Sequence, residues 1–480
     1  MNRKNTLEIE NFGPINEARI EVKPLTIFVG PNNSGKTYVS LAIHSFKNLL
    51  SKINTSNKDL QKDISFLACE SLLKNIPDKE FEQFNIKFSD YVNSEPTLNS
   101  EPLRIPISEF NPIYKYGIGL VYASLVEENM RELFETEINE LIRFNQESFK
   151  LSYNDTTLTY SDSFSLKNLP KYFKIEFGNF EEKFFGCSLD QDEITININY
   201  MLLKNIVDEN LKVEDVFLLF YSQLSRAVFN TYFNEKSHYI PVGKTEISKN
   251  LSLSLSKNLD DEFTFSNTQK RFAQKLLEIN KTRKKGYFHD LACKFEHELF
   301  GGEIFIKEDD SPLKDIYYKR DDGLEIPLSQ ASSSISEMTP LILYLKYILK
   351  ENDTLIIEEP EAHLHPKNQR ILVKYFILAI NRGLNIIMTT HSDYIIEQLN
   401  NYIRLGNVKD EFFENHENYS KNQILDFEKI KLYHFKQSED YTFSPFEVPI
   451  NFTGFYDKNF NEVIDDLCDE TENIVDYKLR

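Results

Sequence analysis

The sequence predicts an α/β fold whose core is a parallel or mixed sheet, interrupted by a mostly helical insertion. Three observations carry that prediction. The apolar run Leu25-Thr-Ile-Phe-Val29 leads into a complete G-x-x-x-x-G-K-T loop, Gly30 to Thr37, and then into helical spacing from Tyr38 to Leu50. Asp353-Thr-Leu-Ile-Ile-Glu358 is a second strand-like run and ends on Glu358-Glu359. A third, Leu384-Asn-Ile-Ile-Met388, leads into Thr389-Thr-His391-Ser392. Apolar strands that alternate with helices imply a parallel sheet covered on both faces.

In chain order, Leu7 to Ile15 and Ala18 to Val22 alternate apolar and polar residues, which predicts two strands joined by a turn at Gly13-Pro14. Asn, Ser and Lys crowd Ser51 to Asp63, and a polar, Pro-containing stretch spans Asn93 to Pro106. Helical spacing is strongest from Gly117 to Phe149, with Leu125, Leu133, Ile138, Leu141 and Phe149 on one face. Thr156 to Tyr200 turns strand-like, and Leu202 to Phe233 returns to helix. A helix is expected to begin near Thr339-Pro340-Leu341. The expected divisions are therefore 1–50, a first lobe of a nucleotide domain; 51–235, a mainly helical insertion for sensing or partner docking; and 236–480, the remainder of that domain. No repeat of fixed period and no sustained heptad pattern appears.

Composition sets outer bounds. The chain has 480 residues, enough for two or three lobes, and a formal net charge of -20 from 75 acidic and 55 basic residues. Such acidity argues against a surface that tracks nucleic acid throughout. Cys69, Cys187, Cys293 and Cys468 form no C-x-x-C pair and read as reduced thiols. The N-terminus lacks a hydrophobic signal core, and the most apolar stretches fall well short of a membrane span, so a cytoplasmic protein without membrane contact is expected.

The loop carries specific chemistry. Glycines let backbone amides turn inward on phosphates, at a helix N-terminus that adds partial positive charge. Gly30, Asn32, Asn33, Ser34, Gly35, Lys36 and Thr37 would cradle a nucleoside triphosphate, with Lys36 reaching the β- and γ-phosphates and the Thr37 hydroxyl ligating Mg²⁺. An apolar strand ending in two acids is the expected partner of such a loop. Glu358 would hold the metal, and Glu359 would orient and deprotonate the attacking water.

Other residues leave alternatives open. His391 follows a buried strand, as a γ-phosphate sensor would, or as an ordinary satisfied polar group. Ser332, Ser333 and Ser334 fit an anion site at a helix N-terminus, or a plain serine cap. His363 and His365 are spaced as a zinc pair could be, without a third ligand at familiar spacing, so a structural role is preferred.

Together these segments resemble the ABC-type ATPases of the SMC, RecF and OLD group. Gly30 to Thr37, Ile356-Ile-Glu-Glu-Pro-Glu-Ala-His-Leu-His-Pro366 and Met388-Thr-Thr-His-Ser392 carry the likeness. Within the group the chain is most like the OLD-like predicted ATPases of bacteria and archaea, several of which serve anti-phage systems. The likeness covers residues 5 to 50 and 285 to 465.

It implies an ABC-type P-loop ATPase that converts ATP and water to ADP and phosphate, with ATP and Mg²⁺ as cofactors. Lys36, Glu359 and His391 would be its catalytic residues, and Thr37 and Glu358 its metal ligands. Ser332 to Ser334 would match the signature loop, which acts on the γ-phosphate of the opposite subunit in an ATP-dependent homodimer or higher oligomer. The Glu361 to His365 loop would cross that interface. Two residues depart from the pattern: Ser334 replaces a signature glycine, and Glu358 replaces Asp. The glutamine loop has no match.

The leading functional reading is an ATP-gated dimeric switch that controls a separately encoded nuclease or toxin. OLD nucleases carry a Toprim domain after the ATPase. The residues after His391 lack an E…D-x-D pattern following an apolar strand, so nuclease activity within this chain is not expected. The alternative is a RecF- or SMC-like repair ATPase that binds DNA directly. Lys281 to Lys285 is the compact basic run available to it, equally well read as a solvated face. A transporter cassette is disfavoured by the long insertion after the first helix.

Overall fold

The computed structural model describes residues 5–47, 316–438, 440–455 and 469–470, together with 236–245, 247, 266–282 and 284–307. Between 47 and 236 it describes 78–97, 100–106, 129–136, 138–142, 146, 148–153, 156–160, 164–167, 174–179, 182–189, 193–198, 200 and 216. The expected helix over Leu202 to Phe233 lies outside the described residues, apart from Val216.

The chain divides into two compact units: Met1–Glu17 with Leu41–Lys236, and Ala18–Ser40 with Ser237–Arg480. In the order of the chain, the elements that position the site begin with β1 (Thr6–Phe12), β2 (Ile15–Glu21), β3 (Leu25–Val29) and α1 (Lys36–Lys47). The turn at Gly13, with φ 54°, joins β1 to β2 as expected.

Among the described residues of 51–235 lie the helix α2 (Asp78–Asn93), a helical stretch over 129–134, and the strands β4 (Leu103–Pro106), β5 (Phe149–Tyr153), β6 (Thr156–Tyr160), β7 (Phe164–Lys167), β8 (Lys174–Asn179), β9 (Glu182–Leu189) and β10 (Glu193–Ile198). These pair antiparallel as β1-β5-β6-β7 and β4-β10-β9-β8. The described part of the expected helical insertion is therefore rich in sheet. The strand-like reading over Thr156 to Tyr200 is found. Of the helical reading over Gly117 to Phe149, residues 117–128 lie outside the described residues and 129–134 are helical as expected, but its end is not: Ile138–Leu141 is a 3-10 turn and Phe149 opens β5. Phe149 is buried against Phe12, ring centroids 5.1 Å apart, so tertiary packing overrode the helical spacing there.

The second unit holds β11 (Ser237–Ile240), α3 (Asn267–Thr282), α4 (His289–Phe300), β12 (Gly302–Ile306), β13 (Ile316–Arg320), β14 (Glu325–Pro327), α5 (Ser333–Tyr347), β15 (Thr354–Glu358), α6 (Pro366–Ile380), β16 (Asn385–Thr389), α7 (Asp393–Arg404), β17 (Ile430–Gln437) and β18 (Phe443–Glu447). Its main sheet runs in the order β11-β15-β16-β3-β17-β18-β2. From β11 to β17 every pairing is parallel, and β18 adds antiparallel to β17. Strands β3 and β15 are buried at every position and β16 at all but its first residue, as a sheet covered on both faces requires. A single apolar cluster fills this unit, joining Ile27, Ile357 and Met388 of the strands to Phe295, Leu341, Phe376 and Leu399 of α4, α5, α6 and α7.

The helix expected near Thr339 begins six positions earlier, at Ser333. Proline favours a first helical turn, but Ser332 supplies the stronger start signal: its hydroxyl accepts the Ile335 amide at 3.4 Å. Pro340 sits inside the helix, fully buried among Met338, Leu341 and Ile342. Burial of that face offsets the hydrogen bond that proline removes. A buried ion pair fastens the same helix to its neighbours. Lys346 contacts Glu296 of α4 at 2.6 Å, while the lysine donates to the Ile304 carbonyl and the glutamate accepts the Ile304 amide.

Candidate functional site

The parallel register brings the chemistry-bearing loops to one edge of the sheet. Glu358 stands opposite Thr389, and Thr389 opposite Phe28, so β3, β15 and β16 end side by side at their C-terminal ends. Ligands of open α/β sheets bind outside these ends, where successive connections diverge. The Gly30 to Thr37 loop leaves β3 there and feeds α1, whose helical hydrogen bonding includes Val39 N–H to the Gly35 carbonyl at 3.0 Å. The loop closes through left-handed backbone at Asn33 (φ 61°) and Gly35 (φ 89°). At Gly30, with φ 135°, an added Cβ would stand 2.7 Å from the Phe435 carbonyl oxygen of β17. Only glycine fits that approach.

Lys36 begins α1 and folds back over the loop. Its Nζ donates to the carbonyls of Gly30 (2.9 Å) and Pro31 (2.7 Å) and stands 3.4 Å from Ser34 Oγ. Burial lowers its pKa, against the pull of the Glu359 and Glu358 carboxylates. Ser34 is buried, whereas Asn32, Asn33 and Thr37 are exposed at the mouth of the loop. Thr37 Oγ1 donates to Glu358 Oε1 at 2.5 Å, bringing the two expected metal ligands together.

Both are oxygen donors, one hydroxyl and one carboxylate, and that set suits Mg²⁺ completed by water and phosphate oxygens. Among the described residues no group of three or more His, Cys, Asp or Glu side chains converges on a metal position. The Thr37–Glu358 set, with its single carboxylate, is not of that kind.

Glu359 occupies left-handed backbone, φ 43°, immediately before Pro360. Extended backbone is favoured before proline, and a left-handed non-glycine residue costs about 1–3 kcal/mol, so the surroundings must impose the conformation. They do so from both sides. The Glu359 amide donates to the Thr389 carbonyl at 3.1 Å and lies 3.2 Å from the Thr389 hydroxyl, while the Glu359 carbonyl faces the Lys244 ammonium at 3.4 Å. The carboxylate so displayed is 42% exposed and stands 3.8 Å from His391 Nε2. Lys36, Thr37, Glu358, Glu359 and His391 thus gather at one strand edge.

Glu361 fixes His391 from the side. Its Oε1 accepts both the His391 amide and the Thr390 hydroxyl, each at 2.8 Å. Burial raises the Glu361 pKa against those donors, and its Oε2 is buried without a partner. His365 caps α6, its Nδ1 accepting the Lys367 amide at 3.2 Å.

The serines do not join the phosphate loop. Ser332 caps α5, Ser333 is exposed at the first turn, and Ser334 Oγ donates to the His363 carbonyl at 2.6 Å, where His363 has φ 60°. The serine hydroxyl found in place of a signature glycine therefore ties the α5 start to the loop after Glu359.

Three residues passed over in the sequence complete the site. Tyr239 of β11 is buried beside Glu358 and hydrogen-bonds its carboxylate, and burial together with that negative charge raises the phenol pKa. Lys244 and Glu337 form a buried pair at 2.8 Å between the segment after β11 and helix α5. Only the Gly243-Lys244-Thr245 tripeptide marked that segment, without the rest of a phosphate loop.

A family profile described as an AAA ATPase domain matches residues 4–396. Endonuclease GajA of Bacillus cereus (strain HuB5-5) is 26% identical over 430 residues, which cover 82% of this chain and 55% of that protein. The chain thus spans about half the length of that curated relative. Among solved structures, the SMC head domain from Thermotoga maritima aligns with 94% of this chain and 99% of its own at 11% identity, TM-score 0.34. A Smc head domain with an extended coiled coil, bound to the C-terminal domain of ScpA derived from Pyrococcus furiosus, aligns at 10% identity and TM-score 0.37, covering 93% and 96%.

Proposed function

The chain belongs to the AAA ATPase domain family, and on that premise we propose that it binds and hydrolyses ATP as an ATP-gated dimeric switch, the sensor or regulator of a prokaryotic anti-phage system. The observation that carries the catalytic part is the clamped, left-handed Glu359 beside the Thr37–Glu358 pair. Lys36 exchanges the Gly30 and Pro31 carbonyls for the β- and γ-phosphates when nucleotide enters. Thr37 and Glu358 would hold Mg²⁺, Glu358 directly or through water. The ion, when bound, offsets charge on the phosphate oxygens. Glu359 orients water and accepts its proton, and His391, held by Glu361, faces the terminal phosphate. Ser332 to Ser334, exposed or half-buried at the start of α5, serve the nucleotide of a second copy, which makes closure dependent on ATP.

The regulatory part rests on the resemblance to OLD-like ATPases. A relative named as an endonuclease supports a link to nucleic-acid cleavage, which this reading assigns to a separate effector. The test is mass and pull-down analysis of the Glu359→Gln protein with ATP, taken from its native host, beside Lys36→Ala. Glu359→Gln should bind ATP and assemble with an effector, and Lys36→Ala should bind none. Turnover at the wild-type rate in Glu359→Gln would remove the assignment of the base. Retention of duplex DNA with steep salt dependence would favour direct DNA binding instead.

A further inference from the structure

Lys244 lies at a junction that the ATPase reading does not by itself use. Its side chain is completely buried, and three acceptors surround its ammonium: Glu337 Oε1 at 2.8 Å, the Glu358 carbonyl at 2.9 Å and the Glu359 carbonyl at 3.4 Å. An ammonium carries three donors, so one side chain satisfies two strand-end carbonyls and a carboxylate together. The second Glu337 oxygen is occupied as well, accepting the Thr245 amide at 3.2 Å and the Thr245 hydroxyl at 2.5 Å. Glu337 stands one helical turn beyond Ser333, on the helix whose start bears the three serines.

We propose that Lys244 is a positioning residue that couples the serine-bearing start of α5 to the backbone of Glu359. The physical case rests on Glu359. Its amide is held by Thr389, and its carbonyl by Lys244, whose side chain touches both that carbonyl and Glu337 of α5. Left-handed backbone before proline returns to extended geometry once either hold is released, which withdraws the carboxylate from its place beside His391. A shift of α5 acts on Glu337 and hence, through a rigid buried pair, on the peptide that displays Glu359. Ser334 supplies a parallel tie, from the same helix start to the His363 carbonyl of the loop beyond. Engagement of the serines by a partner's phosphate would thereby be felt at the water-activating carboxylate. This inference rests on the ATPase reading and adds the route by which dimer closure governs its site.

The experiment compares ATP affinity and turnover in the full-length wild type, Lys36→Ala, Ser333→Ala, Lys244→Met/Glu337→Met and the Ser333→Ala triple variant. Removing both members of the buried pair leaves no unpaired charge, so the double variant should fold, as its unfolding curve would report. Its nucleotide affinity should stay near wild type while kcat falls at least about tenfold, the scale of a lost supporting contact. Ser333→Ala should lower kcat in the wild type and add nothing in the double variant. Wild-type kcat in the folded double variant, or full additivity with Ser333→Ala, overturns the proposal. Glu337→Gln gives a second route with similar volume, and there too an unchanged kcat in a folded protein counts against it. Turnover indifferent to Lys36→Ala would overturn the ATPase reading itself, a separate result.

Discussion

Thr37 Oγ1 donates to Glu358 Oε1 across 2.5 Å, although 321 positions separate the two residues. The contact joins the end of the Gly30 to Thr37 loop to the end of β15, where the proposed function would place a divalent cation against phosphate. Thr37→Ala and Glu358→Gln should each lower nucleotide affinity in Mg²⁺ by about tenfold, with little change when the metal is chelated. Calorimetry with and without chelator measures the difference. Equal losses in both conditions would show that the pair does not hold metal.

Gly30 has no freedom to change. Left-handed backbone and a Cβ position 2.7 Å from the Phe435 carbonyl act together, so Gly30→Ala should destabilise the protein by about 1–3 kcal/mol. Nucleotide binding should be lost with it, because the loop and β17 would have to separate. Denaturant unfolding and nucleotide titration of the same preparation check both effects.

Glu361 predicts a pH effect with a definite sign. Burial holds its carboxyl above the ordinary range, so between the ordinary and the raised value the folded chain binds more protons than the unfolded one. Its contribution to stability therefore declines as pH rises through that window. Glu361→Gln keeps an acceptor for the His391 amide and does not titrate. Its stability relative to wild type should rise as pH climbs from the ordinary carboxylate range through the raised value. Chemical unfolding across that range tests this, and a flat difference would contradict it. Glu361→Ala, lacking the acceptor, should reduce turnover while Glu361→Gln preserves most of it.

The Lys346–Glu296 pair is structural, and its loss should be costly for a different reason. Both side chains are almost fully buried, and Glu296→Ala leaves the lysine charge without its partner, a loss of about 3–5 kcal/mol. Replacing both by apolar residues should recover much of that. Urea melts of the single and double variants provide the comparison.

Ser334 separates two demands on one position. Ser334→Ala removes the bond to the His363 carbonyl and should cost about 0.5–1.5 kcal/mol of stability. Ser334→Gly, the residue that the resemblance expects, should lose the same bond plus helix propensity, about 1 kcal/mol more. Thermal unfolding ranks the three proteins, and wild type should be the most stable.

The sequence by itself determined the parts whose physics is local. An apolar strand, a glycine-rich turn and a helix start lie within thirteen consecutive residues from Leu25 to Thr37, and the structure builds them as such. Glu358-Glu359 and His391 were legible for the same reason: Glu358 ends one short buried strand, and His391 lies two residues past the end of another. Where a local signal competed with burial, the reading slipped: Pro340 suggested a helix start, yet the helix runs through it, and Phe149 continued a helical stripe but opens a strand. Tertiary structure alone decided the support around Glu359. Tyr239, Lys244 and Glu337 carry no motif of their own, because their meaning depends on which groups the parallel register brings within hydrogen-bond reach. Tight turns and capped helices are written in neighbouring residues, whereas a buried ammonium finds its acceptors only after the sheet has formed.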